Sequence, residues 1–267
     1  MTCKTAPMPD PIKLAPCGDQ MIAYHEAGSG PALVLAHGLG LDQSLWDALL
    51  PLLPQGLRII RFDLRGHGAS ATPQPPYGMG ALVRDAESLL DHLKVRDCVF
   101  LGTGLGGMVA QGLAVKRLDQ IRALILTNTA SKIGTKETWA RQMETLQAGA
   151  NPLDPKTHFT AGFRNSPAFA AWQARQIAPR LEGVLGCAAA ISGTDFYTPT
   201  ASLRLPSLVI ASTQDAITPA DMVRDLADLI PGAEFAIIRK SGHLPMLEQP
   251  RTFAAILSDF LHNIGHI

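Results

Sequence analysis

The chain of 267 residues is 46% hydrophobic and 17% charged, enough apolar material for one large domain or two small ones and too much for a disordered chain. Lys plus Arg and Asp plus Glu are equal at 23 each, so no charge excess points to nucleic acid or to an anionic membrane surface. No apolar run approaches the ~18 residues of a membrane span, and the opening MTCKTAPMPDP lacks the apolar core of a signal peptide, which leads us to expect a cytoplasmic protein.

The first elements read as a hairpin, with Ile12–Pro16 and Met21–His25 flanking the turn residues Gly18 and Asp19. Short apolar runs then alternate with helical patterns. The runs are Ala32–Ala36, Leu57–Phe62, Cys98–Leu101, Ile121–Thr127, Ser207–Ala211 and Glu234–Ile238. They are rich in Val, Ile and Leu with little polar alternation, as strands buried on both faces of a parallel sheet require. Helical patterns lie near Ser44–Leu53, Leu82–Leu93, Gly107–Lys116, Pro219–Leu229 and Arg251–Leu261. This alternation predicts a doubly wound α/β sheet. The rhythm breaks between Ser131 and Thr200, which holds Trp139, Trp172 and several helical patterns but no buried strand. Residues 131–200 are therefore expected to form a helical cap over the carboxyl edge of the sheet, where open α/β sheets bind ligands. Residues 1–130 and 201–267 would form the core.

The polar motifs fall at strand ends. His37-Gly38-Leu39-Gly40 follows one strand, Asp63-Leu64-Arg65-Gly66-His67-Gly68-Ala69-Ser70 the next, and Gly102-Thr103-Gly104-Leu105-Gly106-Gly107 opens a helix after a third. Asp215 and Ser241-Gly242-His243 follow the last two. Gly102, Gly104 and Gly107 also satisfy the G-x-G-x-x-G spacing of a dinucleotide loop. That loop belongs on the first strand of a sheet and this one comes late, while Asp119, near the required distance, precedes the next strand instead of ending it. No nucleotide cofactor is expected. Cys3, Cys17, Cys98 and Cys187 lie far apart with no CxxC and no histidine at ligand spacing. They read as reduced thiols, and no metal is expected.

In this order the motifs resemble the α/β-hydrolase family over nearly the whole chain. The resemblance implies an α/β-hydrolase fold, a mostly parallel central sheet with helices on both faces and a helical cap. In that family a strand–turn–helix carries G-x-S-x-G, and the oxyanion hole uses the N–H after the nucleophile and another from the loop after the third strand. Carried across, His243 is the general base and Asp215 orients it, while Leu39 and Leu105 donate to the oxyanion. The nucleophile position is Gly104, where there is no serine. Thr103 would leave the turn in another direction, Cys98 lies inside a strand, and Ser70 reads as a local turn or helix cap. His37 reads as a loop-shaping residue and Asp63, Arg65 and His67 as a hydrogen-bonded turn. His92, His158, His262 and His266 read as surface or helix-end residues.

Finer stretches resemble 3-oxoadipate enol-lactonases, enzymes of the β-ketoadipate pathway of aromatic catabolism that use a Ser–His–Asp triad and no cofactor. These are Leu126–Ala130, Ile133-Gly134, Glu137 and Trp139 at the start of the cap, and Cys187–Ile191 with Thr194-Asp195 at its end. The likeness thins between Gln147 and Arg164, where ANPLDPKTHF is broken by prolines. A substrate carboxylate would call for a cation under the cap, for which Arg141, Arg164 and Arg175 are candidates, although each reads first as a solvated helix charge. Trp139 and Trp172 wall the pocket or pack the core.

Three functions follow. One is an enol-lactonase-like hydrolase of small lactones or esters lacking its nucleophile, through an engineered Ser→Gly replacement or natural loss. Another is an enzyme that uses the His243–Asp215 pair as a general base on carbon or water. The third is a non-catalytic binder of small molecules. The oligomeric state is not legible.

Overall fold

A computed structural model describes residues 11–267; Cys3, one of the expected free thiols, lies outside them. The opening hairpin is β1 (Lys13–Cys17) and β2 (Gln20–Ala27), followed by β3 (Ala32–Ala36) and β4 (Arg58–Phe62). After α1 (Met79–His92) come β5 (Cys98–Thr103), α2 (Leu105–Lys116) and β6 (Ile121–Thr127). Six helices intervene before β7: α3 (Lys136–Gln147), α4 (Pro155–His158), α5 (Ala161–Arg164), α6 (Pro167–Gln173), α7 (Leu181–Ser192) and α8 (Tyr197–Ala201). The chain closes with β7 (Ser207–Ser212), α9 (Ala220–Leu229), β8 (Glu234–Ile238), α10 (Pro245–Glu248) and α11 (Pro250–Asn263).

The eight strands form one sheet in the order β1-β2-β4-β3-β5-β6-β7-β8. β2 runs antiparallel to both β1 and β4, and every other pair is parallel. All residues of β3, β5 and β7 are buried, as expected for parallel strands covered on both faces. One apolar layer holds Leu82, Leu89, Met108, Leu113 and Val223 against Val34, Phe100 and Leu124. The other packs Phe253, Leu257, Phe260 and Trp46 against Leu35, Leu101 and Ile125. Among the described residues no helix is long and apolar enough to cross a membrane.

Two local expectations need correction. The helix expected over Ser44–Leu53 is two 3-10 turns, Gln43–Trp46 and Leu50–Leu52. The Asp42 side chain caps the first at the Ser44 N–H (2.8 Å), and Pro51, with no N–H to give, keeps an α-helix from running through the second. The other concerns α10, which no periodicity announced because it spans only Pro245–Glu248.

The stretch between β6 and β7 is cut into short helices by repeated start signals. Asp154, Thr160 and Ser166 each cap a new helix with a side-chain oxygen, and Pro155 and Pro167 take the first helical turn, where a missing N–H costs nothing. α3 opens with a Thr135–Thr138 capping box.

Candidate active site

The β5–α2 turn sets the centre of the site. Gly104 has φ +51° and ψ −117°, a left-handed conformation that glycine takes without steric penalty. Its N–H donates to the carbonyls of Thr127 and Asn128 (both 3.2 Å). Its own carbonyl accepts from Gly107 N (3.1 Å), Met108 N (3.2 Å) and the Thr129 hydroxyl (2.7 Å). The turn is thus held by backbone and by β6, independently of any side chain at 104. A Cβ at this position would lie 3.3 Å from His243 Nε2 and 3.8 Å from Gly38 Cα.

His243 reaches this point from the loop after β8. Its Nδ1 is 2.8 Å from Asp215 Oδ2, and both side chains are buried. Asp215, after β7, accepts three further hydrogen bonds: Oδ1 from Ile217 N (2.8 Å) and Thr218 N (3.1 Å), and Oδ2 from the Thr218 hydroxyl (2.7 Å). Burial alone would raise the Asp215 pKa. The neighbouring His243 charge and these hydrogen bonds overcome that and hold it below the ordinary carboxylate value. Asp215 therefore fixes the ring with Nδ1–H toward it, leaving Nε2 facing Gly104.

Three residues the motifs did not single out build the histidine loop. Asn128, at φ +43°, donates Nδ2 to Ser212 Oγ (3.0 Å) and to the carbonyls of Gly242 (3.3 Å) and His243 (2.9 Å). Glu248 accepts from Gly242 N (2.8 Å) and, through its other oxygen, from the Thr160 hydroxyl (2.6 Å). The His158 carbonyl accepts the His243 N–H (2.8 Å). Their signal lies in long-range contacts, which a linear motif does not carry. His158 ends α4, as a helix-end residue, but it is buried and not at the surface, and its ring stands edge-on to that of His243 with centroids 5.6 Å apart. Burial and the neighbouring His243 lower its pKa to about 4. His266 is likewise buried, with Nε2 3.1 Å from the Ala32 carbonyl.

The loops after β3 and β4 are locked together by neutral histidines. His37 Nε2 accepts from Leu64 N (3.0 Å) and His67 Nε2 from Gly40 N (2.9 Å). Burial drives their pKa values down, to about 4 and about 3. Asp63 accepts from Gln43 N (2.8 Å) and Ala69 N (2.9 Å), Arg65 pairs with Asp85 (2.5 Å), and the Ser70 hydroxyl donates to the Asp63 carbonyl (2.6 Å). Among the described residues neither the Leu39 nor the Leu105 N–H finds a protein acceptor, and both residues line the space beside Gly104 and His243. Thr103 and Cys98 are fully buried, and burial pushes the Cys98 thiol up to about 12.

That space is a cavity of about 580 Å³. Its inner wall is apolar, from Leu39, Leu105, Ile133, Trp139, Ile191 and Met222, with Gln142, Thr145, Asn151 and Asp154 toward the opening. Of the two tryptophans, Trp139 lines it, with Nε1–H donating to the Ile133 carbonyl (2.6 Å). Trp172 instead packs in an aromatic cluster with Phe159 and Phe169, its ring centroid 5.0 Å from that of Phe159. Arg141 is exposed and off the cavity wall. Arg164 donates to the Pro155 and Phe159 carbonyls, and exposed Arg175 lies near Asp47.

A profile of the Alpha/beta hydrolase family matches residues 33–256. The chain is 32% identical over 229 residues to 3-oxoadipate enol-lactonase 2 of Acinetobacter baylyi, covering 84% of this chain and 85% of that protein. It is 26% identical to a pimeloyl-[acyl-carrier protein] methyl ester esterase of Vibrio vulnificus, with 89% and 96% covered. The crystal structure of the enol-lactonase from Burkholderia xenovorans LB400 superposes with a TM-score of 0.88 at 28% identity, covering 94% of this chain and all of that one.

Proposed function

Because this chain belongs to the alpha/beta hydrolase family, we propose that it carries the site of a carboxylic-ester or lactone hydrolase of the 3-oxoadipate enol-lactonase type, in a form that lacks the serine nucleophile. The observation that carries this reading is the Asp215–His243 pair, whose Nε2 lies 3.3 Å from where a Gly104 Cβ would stand. A serine hydroxyl extends one bond beyond that Cβ, within reach of a proton-accepting imidazole.

With serine at 104 the steps are those of acyl transfer. The hydroxyl oxygen attacks the acyl carbon, its proton passes to His243 Nε2, and the oxyanion is held by the Leu39 and Leu105 N–H groups. The C–O bond to the leaving oxygen then breaks, and that oxygen takes the proton from His243. Water, deprotonated by the same nitrogen, clears the ester. Asp215 stabilises the imidazolium throughout without itself being protonated. Residues 131–200 serve as the lid, and the setting is cytoplasmic. With glycine at 104 nothing can be acylated, so this route is closed.

Gly104→Ser, assayed on aryl acetates and on the enol-lactone of 3-oxoadipate, tests the reading. Turnover of at least one of these substrates is expected in the serine form, with loss by about 10²–10⁴-fold when His243→Ala is added. No turnover on any of these substrates would overturn it. The cavity that Gly104 and His243 both line favours a second reading, in which His243 activates water directly on a reactive ester or lactone. A measurable rate in the glycine form that disappears in His243→Ala identifies that route.

A further inference from the structure

Taking the cavity as the acyl site, as the proposed function does, we infer that it accepts uncharged, largely apolar lactones or esters and discriminates against substrates that carry a free carboxylate. The argument rests on the wall, to which no lysine or arginine contributes among the described residues. Asp154 is one of the lining residues, and its negative charge at the opening would repel an anion. A carboxylate brought into a partly desolvated site needs a cation or several aimed donors, and its burial is strongly opposed without them.

Thr138, Trp139, Gln142, Thr145 and Leu146 of α3 all line the cavity, as residues on one side of the helix. Arg141, three residues after Thr138 and four before Thr145, sits at the edge of that side, exposed and not on the wall. The place one turn beyond Trp139, facing the cavity, is taken by Gln142, which supplies an amide and no charge.

Three other cations are held by partners of their own. Arg164 donates to the Pro155 and Phe159 carbonyls, and Arg180 to those of Gly68 (3.0 Å) and Ser70 (2.6 Å). Lys132 pairs with Asp195 at 3.0 Å. His158 stays neutral near pH 7 because it is buried beside His243. The Trp139 indole N–H is already donated to Ile133. What faces the inner cavity is hydrocarbon from Leu39, Leu105, Ile133, Ile191 and Met222.

A matched pair of ligands tests this: methyl 4-acetoxybenzoate and the 4-acetoxybenzoate anion, with binding to the Gly104 protein measured by calorimetry. The neutral ester is expected to bind at least ten-fold more tightly, and Gln142→Arg to narrow that ratio by ten-fold or more. Gln142 is exposed, so the substitution leaves the core intact; Thr145→Arg, one turn along the same face, is an independent second variant. Equal or tighter binding of the anion would overturn the inference, as would failure of both ligands to bind. Turnover by Gly104→Ser on the same pair separates the two readings. Neutral-selective binding without turnover leaves the inference standing and removes the hydrolase.

Discussion

At Gly104 the backbone sits at φ +51° and ψ −117°, and a side chain there is strained by about 1–3 kcal/mol. A Cβ would also press to 3.3 Å from His243 Nε2. Gly104→Ser is therefore expected to lower the free energy of unfolding by about that amount, read from urea denaturation at constant pH. A serine form as stable as the glycine form would show that the turn stores no strain. Function and stability are opposed at this one position, because the conformation that aims a hydroxyl at the imidazole is one that side chains resist. The glycine, by contrast, leaves the hydrogen bonds of Gly104 to Thr127, Asn128, Gly107 and Thr129 in place.

Among the elements, α7 comes so near a loop that only glycine fits between them. Gly183 meets Gly66 of the β4 loop backbone to backbone, and a Cβ on either would overlap the other's main chain. Gly183→Ala is expected to cost about 1–3 kcal/mol by overpacking and to shift α7, which carries Ile191 on the cavity wall. In the serine background it should raise KM more than it lowers kcat; a variant of unchanged stability and KM would mean that the loop yields freely. Neither glycine stood out in the sequence for this purpose, because a contact between residues more than a hundred positions apart leaves no local pattern. What the sequence did carry were the continuous apolar runs of β3, β5 and β7 and the strand-end positions of Gly104, Asp215 and His243. The helix expected at Ser44–Leu53 failed because apolar spacing alone does not distinguish 3-10 turns from an α-helix interrupted by Pro51. His158 was misread because four-residue α4 is too short to show which face it buries. Of the adjacent residues Arg141 and Gln142 only the second stands on the cavity wall, a distinction that no linear pattern carried.

For the molecule as a whole, three buried neutral histidines set the acid limit of stability. Folded His37, His67 and His158 protonate only at about 4, about 3 and about 4, against an ordinary value of 6.5. Between those values the unfolded chain binds protons that the folded one refuses. Stability is thus full above about pH 6.5 and falls as the pH drops toward about 4. The full slope is about 1.4 kcal/mol per pH unit for each histidine. Asp215, held low, adds to the loss at still lower pH. Asp63, Asp85 and Glu248, each raised by burial, oppose it within the carboxylate range. Urea midpoints measured at intervals from about pH 7.5 to about pH 4.5 are expected to hold down to about pH 6.5 and to fall below it. A flat profile would mean that the histidines take up protons in the native state.

Glu248 and the His158 carbonyl have a kinetic consequence. Both tie the stretch around α4 and α5 to the loop that bears the imidazole, through Thr160 on one side and Gly242 and His243 on the other. A motion that swings this stretch aside must stretch or break those links, so the two segments are expected to open together, as one event in amide hydrogen exchange.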